Sequence, residues 1–227
     1  MVIVVIGSPS VLPGDAGQRS TAAGRAVEVA RGAGDAGSTV QLVGKIGDDP
    51  AGDALILALA DAGIGHVAIL RDPARSTPVA PAPPADEADF DADFDALALE
   101  GGDDPVAGEP ARGDRPAIDA GDLDLALRYL PDHRVVVVAQ ALAPEALDVV
   151  LADCAYVGAT LVAILERGGT APDLPPDATV FEAPDADPDG VFGRTVGGFA
   201  AALDQGTDPA HALARAATTA GWQPASG

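Results

Sequence analysis

The chain has 227 residues, with thirty-five Asp and Glu against thirteen Lys and Arg, a formal charge of −22, and a single lysine, Lys45. Nucleic acid and anionic membrane surfaces would repel such a chain, so neither is expected as a partner. Its one cysteine, Cys154, leaves no internal disulfide to form, which suits a reducing compartment.

The length fits one α/β domain spanning residues 1–227, with 48% apolar residues to build a core, many of them alanine. An acidic, lysine-poor surface is what a cytosol full of potassium salt favours, because carboxylates hold water and cations while salt screens their repulsion. A halophile's cytoplasmic protein is the expectation. The alternative is an acidic protein of a GC-rich genome, where Ala, Asp, Gly, Pro and Arg are all abundant. Residues 1–6 carry no basic leader, and no stretch reaches membrane-spanning length without a charge or a Gly/Pro break.

Val2 to Ile6 has the composition of a buried parallel strand, and Gly7 to Gly14 is expected as a loop. Thr21 to Gly32 has helical composition. Val40 to Val43 predicts a strand, Gly44 and Gly47 a turn, and Asp48-Asp49-Pro50 the start of a helix. That helix carries Leu55, Ile56, Leu57 and Leu59 and stops at Gly63, before a strand from Ile64: one βαβ unit. Ser76 to Val79 is a candidate strand. Residues 81–116 form an acidic, Pro/Gly-rich segment expected to be solvated, a reduced lid or a mobile insertion. Its aspartates lack EF-hand spacing, so no metal site is expected there.

Further on, Asp122 to Leu130 predicts a helix, Val135 to Val138 a central strand, Pro144 to Val157 a helix ended by Gly158, and Thr160 to Leu165 another strand. Thr179 to Pro184 leads into a final helical region. This alternation implies a mostly parallel sheet with helices on both faces, binding ligands beyond the carboxyl ends of its strands. The three histidines are scattered and none pairs with Cys154 at ligand spacing.

Two stretches resemble one family. Leu42-Val43-Gly44-Lys45-Ile46-Gly47-Asp48-Asp49-Pro50, with the later Asp61-Ala62-Gly63-Ile64, is similar to a segment of the ribokinase (PfkB) carbohydrate kinases. Asp187 to Leu203 resembles that family's signature, best at Gly197-Gly198-Phe199-Ala200-Ala201-Ala202-Leu203. The resemblance implies a three-layer ribokinase-like fold with a reduced lid, ATP and Mg²⁺ as cofactors, and phosphoryl transfer to a sugar or nucleoside hydroxyl. It also implies a homodimer through the lid.

The signature's chemistry rests on glycines that free a run of backbone N–H groups at a helix N-terminus, where phosphate charge is neutralised. An aspartate in the same turn takes the hydroxyl proton. Aligned here, Gly190, Val191, Phe192, Gly193 and Arg194 occupy the nucleotide turn. Phe192 stands where the second glycine belongs, its ring expected to crowd the pocket, and Gly193 stands at the base. Asp189 and Asp187 are candidate substitute bases, and Arg194 a candidate phosphate contact. At the sugar side, the resemblance points to Ser10, Gly24, Gly47 and Asp48. Leu12 stands where the family places an aspartate, and Gly24 where it places an asparagine. Glu182 stands near the place of the family's Mg²⁺-associated Asn-x-x-Glu motif but lacks its asparagine.

Three readings follow: a ribokinase-fold protein with eroded catalysis that acts by binding or assembly, a working kinase using Asp189 or Asp187, or a chain with only Rossmann-like topology.

Overall fold

The computed structural model describes residues 2–14, 18–81, 115–130, 132–170 and 172–219. The acidic segment expected at 81–116 lies outside the described residues except at its ends. Six strands form one parallel sheet: β1 (Val2–Ile6), β4 (Thr39–Gly47), β5 (Gly65–Asp72), β6 (His133–Val138), β7 (Thr160–Leu165) and β8 (Thr179–Glu182). Their order across the sheet is β5-β4-β1-β6-β7-β8.

Strands rich in valine and isoleucine can bury both faces at once, and the period of two then sorts their side chains. Ile3 and Val5 of β1, with Val135 and Val137 of β6, face one core. Val4, Ile6, Val136 and Val138 face the other. The first core is closed by α1 (Arg25–Asp35), α2 (Pro50–Asp61), α5 (Val191–Asp204) and α6 (Pro209–Thr219). The second is closed by α3 (Ala120–Arg128) and α4 (Pro144–Val157). The result is the expected three-layer α/β arrangement. Cys154 lies in the second core, where burial and then Asp153 push its thiol up to about 12, so it stays protonated and inert.

Several local expectations are corrected. Where the sequence predicts a loop after β1, the structure has β2 (Ser10–Leu12), which pairs antiparallel with β3 (Thr21–Ala23). Helix α1 therefore begins only at Arg25, after Gly24 at φ +102°. Gly44 is not a turn residue but lies inside β4, where a Cβ would come within 2.5 Å of the carbonyl of Gly7, the residue that follows β1. Ser76 to Val79 forms no strand beyond one bridge between Val79 and Val11.

The turn from β4 into α2 is held by Asp49. Its carboxylate accepts from Gly52 N at 2.7 Å, capping α2, and from Thr77 N at 2.8 Å and Thr77 Oγ1 at 2.7 Å. Burial alone would raise the Asp49 carboxyl. The bonds from Thr77 and Gly52, with Arg71 nearby, more than offset this and hold it below the usual carboxylate range. A depressed folded-state value means that its stabilisation is full above the unfolded carboxylate range and is lost as pH falls through the folded value. Asp49→Ala is expected to cost about 2 kcal/mol, from the lost cap and the unpaired groups of buried Thr77, measured as a lower urea midpoint at neutral pH. The gap from wild type should narrow in acid.

Helices α1 and α5 lie nearly in backbone contact. A Cβ on Gly197 would fall 2.1 Å from the Val29 carbonyl and 2.7 Å from Ala33 N. One on Gly32 would fall 2.2 Å from the Arg194 carbonyl. Only glycine permits this crossing, which brings the N-termini of both helices together at the carboxyl end of the sheet.

Candidate active site

Beside β1 the sheet changes direction, with β4 on one side and β6 on the other. Such a switch point opens a crevice beyond the strand ends. Gly7 N donates to Val43 O at 3.0 Å and Ala139 N to Ile6 O at 2.9 Å, so both strands run to the crevice. There Ser8 N donates to Gln140 Oε1 at 2.7 Å, and Arg25 binds Glu166 at 2.6 and 3.3 Å.

The first turn of α5 stands at the same end of the sheet. Gly190 takes the left-handed conformation at φ +65°, which turns the chain into the helix. The amides that open from this turn are already bonded. Phe192 N donates to Asp187 Oδ1 at 3.0 Å and Gly193 N to Asp187 Oδ2 at 3.1 Å. One carboxylate therefore occupies two of the groups that would meet a phosphate, drawn there by the unpaired amides and the helix dipole.

A second carboxylate, Glu28 of α1, packs against the turn from outside. A Cβ on Gly190 would meet Glu28 Oε2 at 2.6 Å, and one on Gly193 would meet Glu28 Cβ at 2.7 Å. Glu28 Oε1 accepts from Arg31 at 3.2 Å and Oε2 from Arg194 at 2.7 Å. Arg194 also donates to the Asp189 carbonyl. Its charge is thus turned toward Glu28 and its own turn, and the Asp189 side chain is exposed.

Phe192 does not crowd this mouth, contrary to expectation. It is only 5% exposed, and its ring meets Phe181 edge to face at a centroid distance of 6.5 Å. A ring at the first turn of an amphipathic helix gains more from the core than from a polar opening.

Of the remaining residues singled out in the sequence, Ser10 and Gly24 come together: a Cβ on Gly24 would lie 3.5 Å from Ser10 Oγ. Both adjoin the start of α1, and the Arg25 carbonyl there lies 3.5 Å from the Cβ position of Gly193. Gly47 and Asp48 have different neighbours. Gly47 is walled by the Arg75 carbonyl and Thr77 N, each 2.6 Å from its Cβ position, and Asp48 pairs with Arg71 at 3.2 Å.

The residues that sequence reasoning missed are Glu28, Arg31, Arg25, Gln140 and Glu166. Glu28 and Arg31 carried a usable signal, an opposite-charge pair three residues apart in the middle of a helix whose other interior residues are Ala, Val and Gly. Arg25 and Glu166 are 141 residues apart and carried none.

ATP and Mg²⁺, which the resemblance implies, are tested against these groups. A phosphate at the α5 turn would have to displace Asp187 from two of its amides, while the Glu28 carboxylate beside the turn is already paired with Arg31 and Arg194. Among the described residues, no group of three or more His, Cys, Asp or Glu is placed to hold a metal ion.

No family model and no curated protein matches the sequence. Solved structures match in fold. A candidate ribokinase II from E. coli superposes with a TM-score of 0.61 at 14% identity, over 95% of this chain and 90% of that one. The structure of the candidate ribokinase II from E. coli with ATP and Mg²⁺ gives 0.56 at 14% identity, covering 94% and 89%. A candidate phosphofructokinase from Staphylococcus aureus gives 0.57 at 14% identity, covering 97% and 90%. Identities this low speak for architecture alone, and on that evidence the chain carries a ribokinase-like α/β fold.

Proposed function

We propose that this chain is a homologue of the PfkB carbohydrate kinases that binds a nucleotide or sugar-like ligand without transferring a phosphoryl group at a useful rate. The observation that carries this reading is the Asp187 carboxylate on the Phe192 and Gly193 amides. Phosphoryl transfer depends on positioning and on neutralising charge that develops on the phosphate oxygens. Here that work would first require expelling an internal anion. The acceptor hydroxyl also needs a base within hydrogen-bond reach. Gly193 offers none, Asp189 is exposed, and both Glu28 oxygens accept from arginines.

In molar KCl, the purified protein is expected to consume no ATP above background with a panel of sugars and nucleosides. Steady turnover, lost in Asp189→Ala or Glu28→Gln, would overturn the reading and name the substitute base. Ligand binding is expected to appear separately, as thermal stabilisation by a panel sugar, or by ATP or ADP held with its phosphates off the amides that Asp187 occupies.

We also infer a salt-adapted protein of the cytoplasm. Among the described residues, no helix is long and apolar enough to cross a membrane. Helical circular dichroism is expected to fall when KCl is removed, as repulsion within a chain of charge −22 goes unscreened. An unchanged spectrum at low salt would remove the support for this inference.

A further inference from the structure

The C-termini of α1 and α5 also meet, at the amino end of the sheet, where the turn after α1 leads into Thr39 of β4. Gln205 Nε2, at the end of α5, donates to the Ala36 carbonyl at the end of α1 at 2.9 Å. Ser38 Oγ, in the turn, donates to Asp204 Oδ2 of α5 at 3.1 Å. This junction is built on both helices and lies at the far end of the sheet from the α5 turn and the crevice.

Two observations set its chemistry. First, Asp204 is only 8% exposed, and its second oxygen, Oδ1, is sealed from solvent with no hydrogen-bond donor among the described residues. Ser38 is the carboxylate's one partner there. A buried carboxylate oxygen left unmet is costly, and native structures supply such oxygens with a donor or an ion. Second, the surroundings of Asp204 raise the demand for positive charge. The negative ends of two helix dipoles converge at the junction. Neither helix has a basic residue in its last turn, and α1 ends on another aspartate, the exposed Asp35. An aspartate as the last residue of a helix is electrostatically misplaced unless something positive stands beside it.

The class of ligand follows from the donors. A divalent cation draws several carboxylates, and among the described residues no group of three or more His, Cys, Asp or Glu is placed to hold a metal ion. One carboxylate beside a hydroxyl and helix-end carbonyls is a hard oxygen set with a single negative charge, which suits a singly charged hard cation. We propose that Asp204 and Ser38, with the carbonyls that end α1 and α5, bind an alkali-metal cation that fastens the two helix ends together. Ser38 Oγ serves both groups, giving its proton to Asp204 Oδ2 and keeping lone pairs for the ion. The Ala36 carbonyl likewise has a lone pair beyond the one that meets Gln205. Bulk salt screens surface charge whatever the cation, whereas this site discriminates between cations by size.

The test is a set of thermal melts of the wild type and Asp204→Asn in molar potassium, sodium and tetramethylammonium chloride. The three salts screen alike, but tetramethylammonium is too bulky for a buried oxygen site. An ion present at about ten times its dissociation constant raises Tm by about 4 °C in a chain of this size. The wild type is expected to show that increment in potassium or sodium over tetramethylammonium, and the salt that gives more names the ion. Asp204→Asn keeps an acceptor for Ser38 but removes the charge, and is expected to lose the increment. Asp35→Asn, at the exposed aspartate beside it, is expected to keep it. Should Asp204→Asn fail to fold, Ser38→Ala takes its place, with most of the increment lost. No cation preference in the wild type would mean that water meets Oδ1, and would overturn the proposal. An equal preference in the wild type and the folded variant would overturn it too, by tracing the effect to the general surface. None of these results touches the ATP-transfer assay, so the two readings fail separately.

Discussion

Gly197→Ala is expected to lower stability by about 3 kcal/mol, near the upper end for overpacking, while Gly198→Ala raises it by about 1 kcal/mol. The two positions share a helix, a residue type and a substitution, so intrinsic helix preference predicts the same gain for both. They differ only in what lies opposite. At Gly197 the new methyl would fall 2.1 Å from the Val29 carbonyl and 2.7 Å from Ala33 N. Both are backbone atoms of a packed helix and have no rotamer by which to retreat, so α1 and α5 must separate. At Gly198 the methyl enters open space. Urea midpoints in molar KCl measure both changes. Equal shifts of the same sign would show that the helices do not cross as described.

The second large effect concerns repair of the α5 turn. Restoring the family pattern with Phe192→Gly and Gly193→Asp together is expected to produce an unstable protein and no kinase. Removing the Phe192 ring leaves a cavity beside Phe181 and costs about 4 kcal/mol on its own. An aspartate at 193 would bring its Cβ within 2.7 Å of Glu28 Cβ and 3.5 Å of the Arg25 carbonyl, so it packs against α1 rather than over a substrate. Asp187 would still hold the amides. The measurement is ATP-dependent phosphorylation of the sugar panel, beside a thermal melt. A folded double variant that transfers phosphate would show that the turn had lost only side chains and not its geometry.

Much of the fold was legible because hydrophobic runs and breakers agreed. Pro144 at the first turn and Gly158 in the left-handed conformation bound α4 as the sequence implied. The run Val135 to Val138 could only be a strand buried on both faces. The short hairpin of β2 and β3 was missed because Ser10–Leu12 and Thr21–Ala23 are three residues each, too short to show a period of two. Its partner was invisible locally. The start of α1 was misplaced for a related reason: alanines at 22 and 23 favour helix, and pairing with β2 overrode that preference.

At the site, the sequence located the turn but not its state. By its resemblance to a kinase signature, the stretch Gly190 to Arg194 reads as a nucleotide cradle crowded by Phe192 and left without a base at Gly193. Whether such a cradle is open depends on which side chains reach it. Asp187 is close enough in sequence to stand out as a candidate base, but nothing in the sequence marks it as the cap of its own turn. Glu28 comes from a helix 166 residues away from its partner Arg194, and only the crossing of α1 and α5 reveals the contact. The same crossing explains why Gly193 is a glycine: it is a contact point between helices, where any side chain would collide with Glu28.

The most direct test of a self-occupied turn is to follow the backbone amide resonances of Phe192 and Gly193 during titration with ADP and Mg²⁺ in molar KCl. The account predicts that both stay in place in the wild type, still bonded to the Asp187 carboxylate, and that they shift in Asp187→Ala without ligand. Large, saturable movement of these two amides in the wild type on adding the nucleotide would contradict it, because the phosphates would then be taking the position assigned here to Asp187.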